Sequence, residues 1–373
     1  IRARQRDEHV RMSVMRCLLL LVAVTHGLTL RTHVPPRTRS IRLQGGPPPG
    51  TPGGPPAAAA GGPPPGTPGG PPGGPPGGAG GPPAGGPPPR TTAQKLVDGL
   101  FEAVFPLLYA FEPDGMLDSE KNLRVLWVRA LLAAAGELKD DVASELLPSA
   151  SRWLVSAPLA RTIWAPALPK LEWIRQRTEF IDKTLDAFLA ANAGASPQVV
   201  LIGAGYDTRA LRYRSSAARF FEVDLPSVLP VKDAMATTFL KAEGGPRSVG
   251  AEGRALGVDL NRATMAPPGV FAQLSGLGLD RSLPTLVVSE AVLFYLSPPA
   301  KRALLEDAGN FVGGNAASAL VLTDNLAPFV RGPRKEDTAG FLAPLGLNLK
   351  EHDTLWGGAI QFVRADGTAS PDE

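Results

Sequence analysis

The segment that most constrains the fold is QVVLIGAGYDTRALRY, Gln198 to Tyr213. A run of β-branched and aliphatic residues stops at Gly203-Ala204-Gly205, and a polar, Arg-containing stretch of helical character follows. This pattern predicts a strand, a tight glycine turn and a helix start, the place where an open α/β sheet lets a nucleotide approach the backbone. A second strand, Phe220 to Val223, then delivers Asp224 to its carboxyl end, 19 residues beyond Gly205. An acid about 20 residues past the glycine turn is placed to accept hydrogen bonds from a ribose diol.

What is missing narrows the ligand. A dinucleotide fingerprint needs a third glycine so that helix and strand can pack closely around a pyrophosphate. Here that position is Thr208, and no phosphate-cradling Lys follows as in a P-loop. The turn suits an adenosyl ligand without phosphates, with S-adenosylmethionine the leading candidate. A noncatalytic adenosyl-binding module and an NAD(P)-dependent oxidoreductase share the glycine turn and Asp224 and stay open, though Thr208 counts against the second.

GAGYDTRALRY and FEVDLPSVLPVK, with LVVSEAVLFYLSP further on, resemble the leucine carboxyl methyltransferase family, whose members are class I S-adenosylmethionine-dependent methyltransferases. The resemblance runs from about Leu117 to Phe311 and is closer to the bacterial- and plant-type members than to the protein phosphatase methyltransferase that names the family. It implies a doubly wound, Rossmann-like methyltransferase sheet carrying an N-terminal helical cap. It also implies roles for particular residues. Members place an Arg before the glycine strand to hold the methionyl carboxylate, and Arg177 matches that position. Asp259 with Leu260 resembles the adenine-binding pair, and Glu290 resembles the acid near the methionyl ammonium and the transferred methyl. In the family, substrate selection lies with the cap, here Thr91 to Lys170, and with insertions after the fifth strand. Only about 50 residues follow Thr323, a departure from the protein phosphatase enzyme that argues against a protein C-terminus as substrate.

Composition divides the chain. Residues 1–90 hold 10 Arg and no Lys against two acids, a balance of +8. Residues 91–373 hold 28 Lys plus Arg against 33 Asp plus Glu, a balance of −5. The overall +3 belongs to the leader, and a mildly acidic remainder argues against nucleic acid as partner, since phosphate binding needs a cationic surface.

Residues 1–44 read as a signal- and transit-like leader. No acid occurs from His9 to Val97, and Met12 and Met15 are candidate starts. Cys17 to Val24 forms a short apolar region, too short for a stable membrane span. Arg31 to Arg42, rich in Arg and hydroxyls, has transit-peptide composition. A secretory signal followed by a transit peptide suits a plastid bounded by extra membranes; the alternatives are secretion, or a cytoplasmic protein if the leader is an artefact of an upstream exon. Every residue from Gly45 to Pro89 is Gly, Pro, Ala or Thr, and GGPPPGTPGGPP occurs at both 45–56 and 61–72. Glycine does not fall at every third position, so no collagen helix is expected. With nothing to bury, residues 45–90 read as a disordered, polyproline-biased linker.

From Thr91 the 283 remaining residues contain no Cys and one His, His352. A disulfide framework, a His/Cys zinc site, a thiol nucleophile and a serine triad are thereby disfavoured. The chemistry must run on a cofactor and on carboxylates, Arg and Tyr. Residues 91–170 read as the helical cap and 171–373 as the S-adenosylmethionine-binding domain. Within the cap, Leu123 to Gly136 is apolar with Arg124 and Arg129 as its breaks, and Asp140 to Pro148 starts with acids suited to a helix N-terminus. In the helix from Leu171 to Ala190, Ile174, Ile181, Leu185 and Phe188 form one stripe, and Arg177 falls inside it. Such a charge either snorkels to the rim or grips a ligand carboxylate.

Strand-like runs end in Asp224, Asp259, Glu290 and Asp324, and a parallel sheet delivers all four acids to its carboxyl edge. Gathering them there is unfavourable unless cations or donors fill the space, which S-adenosylmethionine supplies. Gly203 and Gly205 are expected to let the backbone pass close to the ligand. Asp207 reads as the cap of the helix it opens. Tyr295 is a candidate substrate contact or a packing residue, and Ser297-Pro298 reads as the start of a helix to Phe311. Glu290 and Tyr295 are the candidate catalytic residues. A carboxylate on a small molecule or peptide is the expected acceptor, because it is already ionised at neutral pH and needs no general base. Strands are expected near 198–202, 219–223, 254–258, 285–289 and 319–323, closed by an antiparallel pair, Leu347 to Leu355 and Ala359 to Ala365.

Because residues 1–90 have no core to bury, deleting them should leave the thermal midpoint of the remainder unchanged. A drop of several degrees in a melting scan would show that the segment packs.

Overall fold

A computed structural model of the chain describes residues 120–147, 168–243 and 248–368, with Arg152, Val155 and Gly245. The leader, the Gly/Pro block and cap residues 91–119 lie outside the described residues, as does most of 148–167. Two helices of the cap are described. Helix α1, Glu120–Ala135, ends at Gly136, whose φ of 80° no L side chain adopts readily. Helix α2, Asp141–Leu146, is capped by Asp140, which accepts from the Ala143 N–H at 3.1 Å. Helix α3, Leu168–Ala191, leads into the sheet.

Five parallel strands follow: β1 Gln198–Ile202, β2 Arg219–Asp224, β3 Ala255–Gly257, β4 Thr285–Glu290 and β5 Ala319–Asp324. Strand β6, Leu347–Leu355, and β7, Ile360–Gly367, form the closing antiparallel pair. The sheet order is β3-β2-β1-β4-β5-β7-β6. All seven expected strands are present, two with the expected bounds and the others with ends displaced by at most two residues. The chain winds outward from β1 in both directions, so a crevice opens between the carboxyl ends of β1 and β4, where such folds bind ligands.

The connecting helices are α4, Arg209–Arg212; α5, Leu229–Glu243; α6, Leu260–Ala263; α7, Val270–Gly276; α8, Pro298–Val312; and α9, Lys335–Leu342. No helix among the described residues is long and apolar enough to cross a membrane.

Period-two alternation sends the two faces of β1 into two cores. Val199 and Leu201 pack with Ile181, Leu185 and Phe188 of α3. Val200 and Ile202 pack with Val270, Phe271 and Leu274 of α7 and Leu304 and Leu305 of α8. Burial on both faces explains why QVVLI is continuously apolar after its first residue. Ser297 holds the N-cap position of α8, but its side chain makes no capping bond; its N–H instead donates to Asn261 Oδ1 at 2.8 Å.

Asp324 departs from the expected pattern. Its carboxylate is fully buried and does not reach the crevice. Oδ2 accepts from the Val292 and Leu293 N–H groups at 2.8 and 2.9 Å and from Ser289 Oγ at 3.2 Å, while Oδ1 accepts from the Asn325 N–H. The loop after β4 bends sharply there, with Ala291 at φ 56°, and Asp324 satisfies the backbone donors that the bend frees. The acid is a brace for that bend rather than a ligand of the crevice.

Burial pushes the Asp324 carboxyl up to about 6, against the pull of its backbone donors. A raised value means that the stability this group contributes is fully present below its unfolded value and is lost as pH rises through about 6. In urea titrations at pH 4.5 and 7.5, Asp324→Asn should therefore gain on the wild type by roughly 2 kcal/mol at the higher pH. A stability difference independent of pH would refute this.

Candidate active site

The crevice holds a cavity of about 690 Å³ lined by all but one of the expected acids and by both expected glycines. This volume falls within the range of small-molecule and cofactor sites. β1 ends at Gly203, and both turn glycines have positive φ, 61° and 42°. A Cβ on Gly203 would fall inside the Val292 side chain. At Gly205 a Cβ would stand 3.0 Å from Asn122 Oδ1. Asp224, at the end of β2, closes over the turn: its Oδ2 accepts from the Gly205 N–H and its Oδ1 from the Leu225 N–H, both at 2.6 Å. A carboxylate has about four lone-pair sites, so capacity remains for ribose hydroxyls.

Further along the edge, Asp259 caps α6 by accepting from the Asn261 N–H at 3.0 Å, and buried Leu260 follows it. Together with Leu225, Val228 and Val258 they line the cavity, a largely apolar stretch of wall with one carboxylate in it. Tyr295 is 59% exposed on the cavity wall, so it is no core packing residue.

Arg177 is 2% exposed and does not snorkel to the rim. It points from α3 to the end of β4, where Nε and Nη2 each lie 3.3 Å from Glu290 Oε1. Its guanidinium also lies over the Trp173 ring, 4.6 Å from the centroid. Among the charged residues that line the cavity, Arg177 and Glu290 thus stand side by side, a cation and an anion complementary to an amino acid's carboxylate and ammonium.

Behind this pair lies a buried charge network of which the sequence disclosed only parts. Arg209 donates to Asp182 Oδ1 at 2.6 Å, Asp207 Oδ2 at 2.5 Å and Glu290 Oε2 at 2.7 Å. Arg129 of α1 pairs with Asp140 at 2.8 Å, and Arg212 with Asp182 at 2.7 Å. Thr208, where a dinucleotide fold would have its third glycine, is the hub: its hydroxyl lies 2.8 and 2.9 Å from the two Asp140 oxygens and accepts from Arg129 and Arg212. Asp207 accepts from the Arg209 N–H at 2.7 Å, so it serves the start of α4 and the network at once.

Burial alone would raise the Glu290 carboxyl, but Arg209, then Arg177 and Arg129, outweigh it and hold it below the usual range. Asp207 is likewise lowered, its burial overcome by Arg209, Arg129 and Lys232. Asn122 and Arg129, both cavity-lining residues from α1, went unrecognised in the sequence as site residues. A charge in an apolar helical run, the same signal that marked Arg177, was available for Arg129; nothing local marks Asn122.

Strand order and glycine turn are those of the S-adenosylmethionine-dependent methyltransferase fold. The sequence pattern of leucine carboxyl methyltransferases matches residues 122–309, and the chain belongs to that family. It is 34% identical over 137 residues to a putative S-adenosyl-L-methionine-dependent methyltransferase of Mycolicibacterium vanbaalenii, covering 36% of this chain and 41% of that protein. It is 30% identical over 194 residues to tRNA wybutosine-synthesizing protein 4 of Homo sapiens, covering 47% of this chain and 26% of that protein. The chain spans about half or less of the length of the curated relatives it matches. Among solved structures, magnesium protoporphyrin IX methyltransferase from Synechocystis PCC 6803 with bound SAM matches at 13% identity and a TM-score of 0.35, covering 52% of this chain and 82% of that one. So distant a likeness adds nothing to the strand order described above.

Gly203→Ala should destabilise the fold by about 1–3 kcal/mol, combining backbone strain with overlap on Val292. Val292→Ala in the same chain should recover part of that loss. Equal midpoints for the single and double variants in urea denaturation would contradict the assigned contact.

Proposed function

We propose that this chain transfers the methyl group of S-adenosylmethionine to a carboxylate oxygen of a small molecule or peptide. The observation that carries the carboxylate acceptor is the state of the acids nearest the paired charges. Glu290 and Asp207 are locked to arginines and held more acidic than usual, which makes them poor bases. Among the described residues that line the cavity there is no His, Lys or Cys. An acceptor that arrives already ionised suits such a site, and a carboxylate does so at neutral pH.

In this reading Arg177 holds the methionyl carboxylate and Glu290 the ammonium. Asp224 accepts from the ribose hydroxyls, and Asp259 with Leu260 takes the adenine. When bound, the cofactor supplies an electrophilic methyl: the acceptor oxygen's lone pair forms the new O–C bond while the C–S bond breaks and its electrons stay on sulfur. The work left to the protein is alignment and exclusion of water. In this reading the paired charges and the glycine turn fix one reactant, and Tyr295, Val125 and Leu126 are further cavity-lining residues available to the other.

Calorimetry should show binding of S-adenosylmethionine and S-adenosylhomocysteine and none of NAD(P). Arg177→Ala should weaken both adenosyl ligands about ten- to a hundred-fold, the loss of a charge-assisted pair. Asp224→Asn should do less harm than Asp224→Ala, since an amide oxygen still accepts. With labelled methyl donor, carboxylate metabolites and peptides should yield alkali-labile label. Alkali-stable label on phenols would overturn the carboxylate acceptor, and tight NAD binding without an adenosyl response would overturn the cofactor.

A further inference from the structure

Glu290 has two oxygens, and the structure treats them differently. Oε2 receives Arg209 Nη1 at 2.7 Å, the usual length of a charge-assisted bond. Oε1 receives Arg177 only at 3.3 Å, through two nitrogens at once. Arg209 is wholly buried and does not line the cavity, whereas Arg177 does. One arginine is thus a fixed partner behind the carboxylate and the other a loose partner on the ligand side.

We infer that Arg209 is a positioning residue that keeps Glu290 ionised and stationary, so that Arg177 is free to leave Glu290 for the carboxylate of an incoming zwitterion. The inference rests on the cofactor reading given above. A buried carboxylate with no counter-ion takes up a proton, and a neutral carboxyl holds an ammonium poorly. Were Arg177 the sole partner of Glu290, a ligand carboxylate would compete for it, and the gain at one end of the ligand would be lost at the other. Arg209 removes that competition. It is itself anchored by Asp182 and Asp207, and by the Thr178 carbonyl at 3.3 Å, so it cannot follow the ligand. The charged groups facing Glu290 are Arg177 of α3, Arg209 of α4, Arg129 of α1 and, opposing them, Asp207 of the turn.

The test is calorimetric binding of S-adenosylhomocysteine from pH 5.5 to 8.5, in two buffers of different ionisation enthalpy, with 5′-methylthioadenosine, which lacks the amino-acid end, as control ligand. The full chain is compared with Arg209→Gln, which keeps a donor but removes the charge, and with Arg209→Met/Asp182→Asn, which removes a cation and an anion together. Wild-type affinity should be flat across this range. In the variants, affinity for S-adenosylhomocysteine should fall at least tenfold toward the acid end with release of a proton on binding, because Glu290 must then ionise to hold the ammonium. Affinity for 5′-methylthioadenosine should stay at the wild-type level. Should the double variant fail to fold, Arg209→Gln decides alone. A flat wild-type-like profile in the variants, or an equal loss of both ligands at every pH, would overturn the positioning role. Failure of the wild type to bind either ligand would overturn the cofactor reading and the inference with it.

Discussion

The structure depends on a buried set of four arginines and four carboxylates at the joint between cap and sheet. Arg129, Arg177, Arg209 and Arg212 meet Asp140, Asp182, Asp207 and Glu290, and the charges balance. Removing an ion from water costs several kcal/mol, and only close pairing with satisfied lone pairs offsets that cost. Truncating one member is therefore expected to be worse than never having the pair, since it strands a charge. Because members come from α1, the residue before α2, α3, the glycine turn, α4 and β4, the network closes only when all of these have docked. The cap helices and the sheet are consequently one cooperative unit in this region.

This joint also explains the division of labour in the cavity. One face of the network lines the cavity and consists of Arg177 and Glu290, with Arg129 and Asp207 beside them. The other face consists of Arg209, Asp182, Thr208 and Asp140, which hold the first two in place. The same logic applies at the loop after β4, where Asp324 satisfies Val292 and Leu293 and so fixes the backbone between Glu290 and Tyr295. Lys232 plays a comparable part under the glycine turn, paired with Glu222 at 2.7 Å and donating to the Ala204 carbonyl at 3.3 Å. Each brace is a buried charged group whose worth lies in the geometry it imposes rather than in net stability.

Local pattern made much of the site legible. The apolar run ending at Gly203, the acid at Asp224 and the stripe interrupted by Arg177 all express periods of two or 3.6 residues that neighbouring positions encode. The pattern of strands ending in acids also marked Asp259 and Glu290, resemblance to the family added Leu260, and the structure brings these three to the same cavity. Asp324 obeyed the same pattern of a strand ending in an acid yet lies inside the protein, because a period places a residue at a strand end without saying whether water or backbone donors await it there. Arg129 was visible as a break in an apolar helix, but its meaning depends on Asp140 and Thr208.

By itself the sequence determined the seven strands, their polar ends and the glycine turn after the first of them, since those follow from residues adjacent in the chain. Tertiary structure alone decided which charges face the ligand and which support them. Arg177 meets Glu290 across 113 residues, and Thr208 meets Asp140 across 68. The energy of a buried ion is set by whatever stands within a few ångströms of it, and those neighbours are chosen by the packing of distant segments, not by spacing along the chain.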